Sequence, residues 1–257
     1  METGFDVLFY GPDSLYALVS QRKDLQPLIF IGGLGDELFQ PGYVRELFSH
    51  YRLILPRFHT TGNSFGLFSL SQDAKDLNDL LDELKGIDIN KPILMGFSTG
   101  CQSILRYLEV YNNGFSCTGK VILQGAVSDQ QCFMKDEAAN RLHCFLDKNP
   151  EYILPEPFFG APVTVERLRS LLIFEGEDDF FSTGSQFCVE RCRKALSNVD
   201  HLFVMGEKDE CIDSLHEWKH MIDLIQKQSY VIIPNGGHSL RGCLETLIRV
   251  ISDFLAK

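Results

Sequence analysis

At residues 92–108, PILMGFSTGCQSILRYL, a run of buried-strand character passes into a helix through a Gly-x-Ser-x-Gly turn. The stretch KPILMGF is short, apolar and bounded by polar residues, as a strand buried on both faces requires. TGCQSILRYLEVY carries apolar residues three or four apart, the spacing of one helix face. A chain that reverses this abruptly needs positions free of side chains two before and two after the tip, which Gly96 and Gly100 supply. Ser98 is left at the tip with its hydroxyl exposed. The motif alone is short, so its context decides what the serine does.

That context is an alternation of short strands and amphipathic helices. FDVLFYG, LYALVS, PLIFIGG, YRLILPRF, KPILMGF, KVILQGAV, HLFVMGE and SYVIIPN read as about eight strands. From the third onward, helical patterns separate most of them, which predicts a mainly parallel sheet with helices on both faces. The first two strands meet at Gly-Pro-Asp, turn chemistry that predicts an N-terminal hairpin. Helices are expected over PGYVRELFSHY, SQDAKDLNDLLDELKG, TGCQSILRYLEVYN, SLHEWKHMIDLIQK and LRGCLETLIRVISDFLAK, with Ser71 capping the second and Gly86 ending it. A length of 257 residues suits one domain, 1–257. The rhythm breaks between the sixth and seventh strands, where residues 128–200 predict a helical cap inserted over the strand C-terminal ends.

A serine hydroxyl reacts only when a base removes its proton, and that base must be oriented by a carboxylate. Asp209 follows the strand HLFVMG and His238 follows SYVIIP in the Gly-rich NGGHSL, so both share the sheet rim with Ser98. Asp213 is the competing acid. Among the histidines only His238 occupies a Gly-rich loop directly after a strand. Backbone N–H groups of Leu34, in IGGLGDE after the third strand, and of Thr99, opening the helix, are the expected oxyanion donors, with Gly33 as the alternative to Leu34.

A formal net charge of −11 disfavours nucleic acid and anionic membrane surfaces as partners. The N-terminal METGFDVLFYG lacks a signal-peptide pattern, and no apolar run is long enough to span a membrane, so a cytoplasmic location is expected. Eight cysteines scattered through strands and helices fit free thiols better than a disulfide framework.

These residues together resemble the α/β-hydrolase superfamily. More narrowly, the chain is similar to a poorly characterised eukaryotic family that includes fungal esterases opening ester-linked hydroxamate siderophores. FIGGLGDELFQPGY, GNSFGLFSLSQDAKDLNDLLDEL, GFSTGCQ, VSD, RLRSLLIFEGEDDFFSTG, GEKDE and NGGHSL carry the resemblance. It implies an α/β-hydrolase fold with Ser98 as nucleophile, Asp209 as acid, His238 as base and 128–200 as lid. LPRFHTTGNS departs from the family's more polar, aromatic loop, so the siderophore substrate does not carry over.

Three other patterns compete for function. HEWKH, residues 216–220, matches a zinc-hydrolase pattern that puts His216 and His220 on one helix face, with Glu217 as base. No third ligand follows it, and its helix is expected on an outer layer. Cys188 and Cys192, four apart, would complete a zinc set of two cysteines and two histidines only if their helix met that one. EGEDD, 175–179, reads as a solvated acidic loop, with attraction of a cationic substrate or pairing with arginine as its functional alternatives; EPFFG suits either core packing or an acyl pocket. The expectation is a serine esterase acting on a small-molecule ester through an acyl-enzyme, with no metal or organic cofactor. The rivals are a non-catalytic binding protein of the same fold and a zinc hydrolase.

Overall fold

The computed structural model describes residues 4–111, 119–227 and 229–257. Eight strands form one sheet. Two of them, β1 (Phe5–Tyr10) and β2 (Leu15–Ser20), pair antiparallel as the N-terminal hairpin. β2 then runs antiparallel to β4 (Arg52–Pro56), which is parallel to β3 (Pro27–Ile31). The remaining strands, β5 (Ile93–Phe97), β6 (Val121–Gln124), β7 (His201–Gly206) and β8 (Tyr230–Ile233), continue in parallel, giving the order β1-β2-β4-β3-β5-β6-β7-β8. Burial follows position: every residue of β5, β6 and β7 is buried, while the outer strand β1 exposes Val7 and Phe9. Central strands covered on both faces need continuous apolar runs, whereas an edge strand does not.

Helices α1 (Val44–Leu47) and α9 (Leu244–Leu255) cover one face, burying Val44, Leu47, Leu247 and Ile251 against Leu28, Leu53 and Met95. On the other face lie α2 (Leu70–Gly86), α3 (Thr99–Tyr111), α7 (Gln186–Leu196) and α8 (Leu215–Ile225). Leu77, Ile104, Cys192 and Ile222 meet Leu94 and Leu123 there. Each fully buried aliphatic side chain contributes about 1.5–3 kcal/mol.

Two local expectations change. The helix expected over 41–51 shortens to α1, because the chain after Leu47 closes in turns, with Ser49 N–H donating to Glu46 O and His50 N–H to Leu47 O. The cap of α2 is Ser69, whose hydroxyl accepts from Gln72 N–H; Ser71 instead donates to the Glu177 carboxylate and accepts from Arg106.

Between β6 and β7 the chain forms α4 (Asp129–Phe133), α5 (Glu137–Arg141), α6 (Val165–Leu172) and then α7. α4 begins within the VSD stretch, where no helix is expected from sequence. Residues 139–172 build a separate core from Ala139, Phe158, Val163, Leu168 and Leu171, which Phe65 and Leu34 of the strand-end loops join. Thr164 N–H donates to Gly66 O, and Arg167 Nε donates to Phe65 O at 2.9 Å. This segment is thereby docked on the rim formed by the ends of β3 and β4.

EGEDD is not a solvated loop. Glu175 is exposed, but Asp178 is fully buried in an ion pair with Arg167, and Asp179 caps the following turn through Ser182 N–H and Oγ. Of EPFFG, Phe158 is core and Phe159 is 58% exposed. No helix among the described residues is long and apolar enough to cross a membrane. Seven cysteines are free thiols, while Cys117 lies outside the described residues.

Candidate active site

Ser98 sits between β5 and α3 with φ +54°, a left-handed conformation costly for any residue with a side chain. The surroundings enforce it. A Cβ on Gly96 would lie 2.6 Å from the Gly100 carbonyl, and one on Gly100 would lie 2.3 Å from Ile31 O. Ser98 N–H donates to Gln124 O at 2.9 Å, tying the turn to the end of β6.

Three residues separated in sequence form one hydrogen-bonded chain. His238 Nε2 is 2.9 Å from Ser98 Oγ, and His238 Nδ1 is 2.9 Å from Asp209 Oδ2 and 3.1 Å from Oδ1. Asp209 is buried and also accepts the Cys211 N–H at 2.9 Å. Asp213, the competing acid, is exposed and pairs with Lys135. For His238, burial disfavours the charged ring, but the hydrogen bond and negative charge of Asp209, with the charge of Glu210, outweigh it and raise the pKa. An imidazole held this way can take a proton from a neighbouring hydroxyl and, once charged, be stabilised by the carboxylate.

The histidine loop is fixed at its backbone as well. His238 N–H donates to Glu210 Oε2 at 2.9 Å, and Gln124 Nε2 donates to His238 O at 2.8 Å. Tyr43 OH in turn donates to Gln124 Oε1. Phe97 packs on the ring with centroids 5.1 Å apart. Sequence reasoning singles out none of Tyr43, Gln124 or Glu210. Gln124 has a signal, since it is the lone polar residue in the apolar run VILQG.

On the opposite side of Ser98, the Gly33 N–H donates to Asp36 Oδ2 at 2.8 Å and is therefore committed. Leu34 follows it, and Thr99 opens α3, whose first N–H groups lack intrahelical partners. Both residues border a small cavity of about 40 Å³, lined also by Asp73, Ser103 and Arg167. The Thr99 hydroxyl is buried there without a hydrogen-bond partner.

A thiol pair stands on the aspartate side. Cys132 of α4 neighbours Cys211, and that side-chain interaction, with the positive charge of His238, lowers the Cys132 pKa despite burial. HEWKH is elsewhere: His216 and His220 are exposed on α8, while Trp218 points inward and donates to Ala126 O at 2.8 Å. α7 does pack on α8, but Cys188 and Cys192 donate to the carbonyls of Asp179 and Phe180 in the core.

The chain is 29% identical over 220 residues to UPF0613 protein PB24D3.06c of Schizosaccharomyces pombe, covering 72% of this chain and 68% of that one. It is 23% identical to Esterase AN6793 of Emericella nidulans across 87% of this chain and 83% of that one. A shorter match, 30% over 108 residues, reaches fusarinine C esterase sidJ of Aspergillus fumigatus, covering 37% of this chain and 30% of that one. The siderophore hydrolase EstB from Aspergillus fumigatus superposes with a TM-score of 0.72 at 19% identity, covering 100% and 99% of the two chains. Est1E from Butyrivibrio proteoclasticus, solved with ferulic acid bound, gives 0.70 at 14% identity over 97% and 98%. The fold is that of the α/β-hydrolases, and with residues 12–246 matching its model, the chain belongs to the family described as "Protein of unknown function (DUF1749)".

Proposed function

We propose that this protein is a serine hydrolase of the esterase type. The observation that carries the reading is the unbroken chain from Ser98 Oγ through both ring nitrogens of His238 to Asp209, built on a left-handed serine. Ser98 Oγ attacks the carbonyl carbon of an ester as its proton passes to His238 Nε2. The N–H groups of Leu34 and Thr99 receive the developing oxyanion, which needs donors already oriented at a water-poor site. Collapse of the tetrahedral intermediate breaks the ester C–O bond, and His238 returns the proton to the leaving alcohol. Water, activated by the same histidine, then hydrolyses the acyl-enzyme and restores Ser98. Asp209 orients His238 throughout.

The names of the relatives, an esterase and a fusarinine C esterase, favour ester substrates over other acyl compounds. Of the expected cap 128–200, residues 139–172, docked over the rim beside Leu34, act in this reading as the lid that selects substrate, whereas α7 packs on the sheet face, and the protein works in the cytoplasm on small molecules. The test is turnover of a panel of nitrophenyl esters, with a matched thioester and anilide. Ester hydrolysis abolished in Ser98→Ala, with folding intact, supports the reading. Equal rates in parent and Ser98→Ala would overturn it and leave a binding role for the same cleft.

A further inference from the structure

Beside the ring of His238 lies a donor set that ester hydrolysis does not need. A carboxylate oxygen of Asp209, the Cys211 sulfur and a ring nitrogen of His238 lie within 4.8 Å of one another. Cys132 of α4 neighbours Cys211 but lies outside this close group. Backbone geometry keeps Cys211 there, since its own N–H is anchored on Asp209 Oδ1. The Cys211 thiol is half-buried, so an ion can reach it while meeting little competing water.

A thiolate, an imidazole and a carboxylate make a three-donor set, which leaves the fourth position of a tetrahedral ion to water. Sulfur and imidazole together select soft or borderline cations such as Zn²⁺ over Mg²⁺ or Ca²⁺. Tetrahedral zinc with bonds of about 2.0–2.3 Å requires donors roughly 3.3–3.8 Å apart, so closing the set takes shifts of about 1 Å at side chains. We propose that Cys211, Asp209 and His238 form an inhibitory site for one zinc-class cation per chain.

The inhibition follows from imidazole chemistry. A neutral ring has one lone pair. A cation held together with Asp209 takes Nδ1, the nitrogen facing that carboxylate, and the ring proton then resides on Nε2. Nε2 thereby becomes a donor toward Ser98 and can no longer accept its proton. The Cys211 thiol releases its proton as the ion binds, so charge is balanced without any redox step.

Cation binding stands independently of the proposed hydrolase activity, whereas its inhibitory consequence rests on that reading. The test uses the full chain, stripped with a chelator and kept in a phosphine reductant. Zinc chloride is titrated against a fluorescent zinc indicator, and labelling of Ser98 by a fluorophosphonate is followed in parallel. The expected result is one Zn²⁺ per chain and loss of labelling that a chelator reverses. Cys211→Ser and Cys211→Ala, checked for folding by circular dichroism, should each weaken zinc binding at least tenfold. Inhibition, scaled to each variant's own metal-free rate, should shift by the same factor. Absence of stoichiometric zinc would overturn the site, as would unchanged binding in both variants or binding lost instead in His216→Ala. A parent that binds zinc in this pattern but is never labelled would sink the hydrolase reading and leave the cation site standing.

Discussion

Asp73, on α2 behind Thr99, is only 4% exposed and borders the cavity beside the elbow. Burial raises its pKa to about 7, against hydrogen bonds from Thr60 Oγ1 at 2.6 Å and Ser103 Oγ at 2.7 Å and the attraction of Arg167. A carboxyl whose folded pKa exceeds its unfolded value binds more protons in the folded state, so stability is complete below the unfolded pKa and falls as pH rises toward the folded one. With an unfolded pKa near 3.9, the loss reaches about 4 kcal/mol by pH 8, of which about 2.5 kcal/mol accrues between pH 5 and pH 8. Asp73→Asn cannot lose a proton. Its oxygen still accepts from Thr60, while its NH2 requires the Ser103 hydroxyl to turn, a pH-independent cost of about 1 kcal/mol. Urea unfolding at pH 5, 6, 7 and 8 should therefore show Asp73→Asn gaining about 2–3 kcal/mol on the parent across that range. A difference that stays constant with pH would refute the reasoning, because Asp73 would then be ionised throughout.

Three further outcomes follow from the same structure. Gly100→Ala should abolish fluorophosphonate labelling, since its Cβ would lie 2.3 Å from Ile31 O and 2.6 Å from Gly32 O; normal labelling would show that the elbow can open. Arg167→Met leaves the Asp178 carboxylate buried without its partner and should cost about 3–5 kcal/mol in urea unfolding, most of which Arg167→Met combined with Asp178→Leu should recover. His220→Ala should leave ester turnover within twofold of the parent, measured at matched folding, because that imidazole is exposed on the outer face of α8.

What the sequence made legible was local. The strands of a doubly covered sheet are short runs of apolar residues, so β5, β6 and β7 stand out, and Ser98 is marked by glycines whose crowding is real. His238 and Asp209 could be placed because each follows a recognisable strand. Ser69 was also within reach: Ser69 and Gln72 stand three apart, the spacing of a capping box, and this outweighs the nearer-looking Ser71. Burial of Asp178 was not legible, because it depends on Arg167 from another element, and acidic runs are ordinarily solvated. The meeting of Cys132 and Cys211 depends on how α4 folds back toward the loop after β7, and neither residue carries a local pattern.

The most direct test of the triad is intact-mass analysis of the folded protein after fluorophosphonate treatment, with labelling rates followed from pH 5 to pH 9. The expected result is a single adduct on the parent, none on Ser98→Ala, and a rate that falls on acidification with a midpoint above the ordinary histidine value. That midpoint moves down in Asp209→Asn, because Asp209 raises the His238 pKa. No adduct on folded parent, or an adduct that survives in Ser98→Ala, would contradict the central claim that Ser98 is a nucleophile activated by His238.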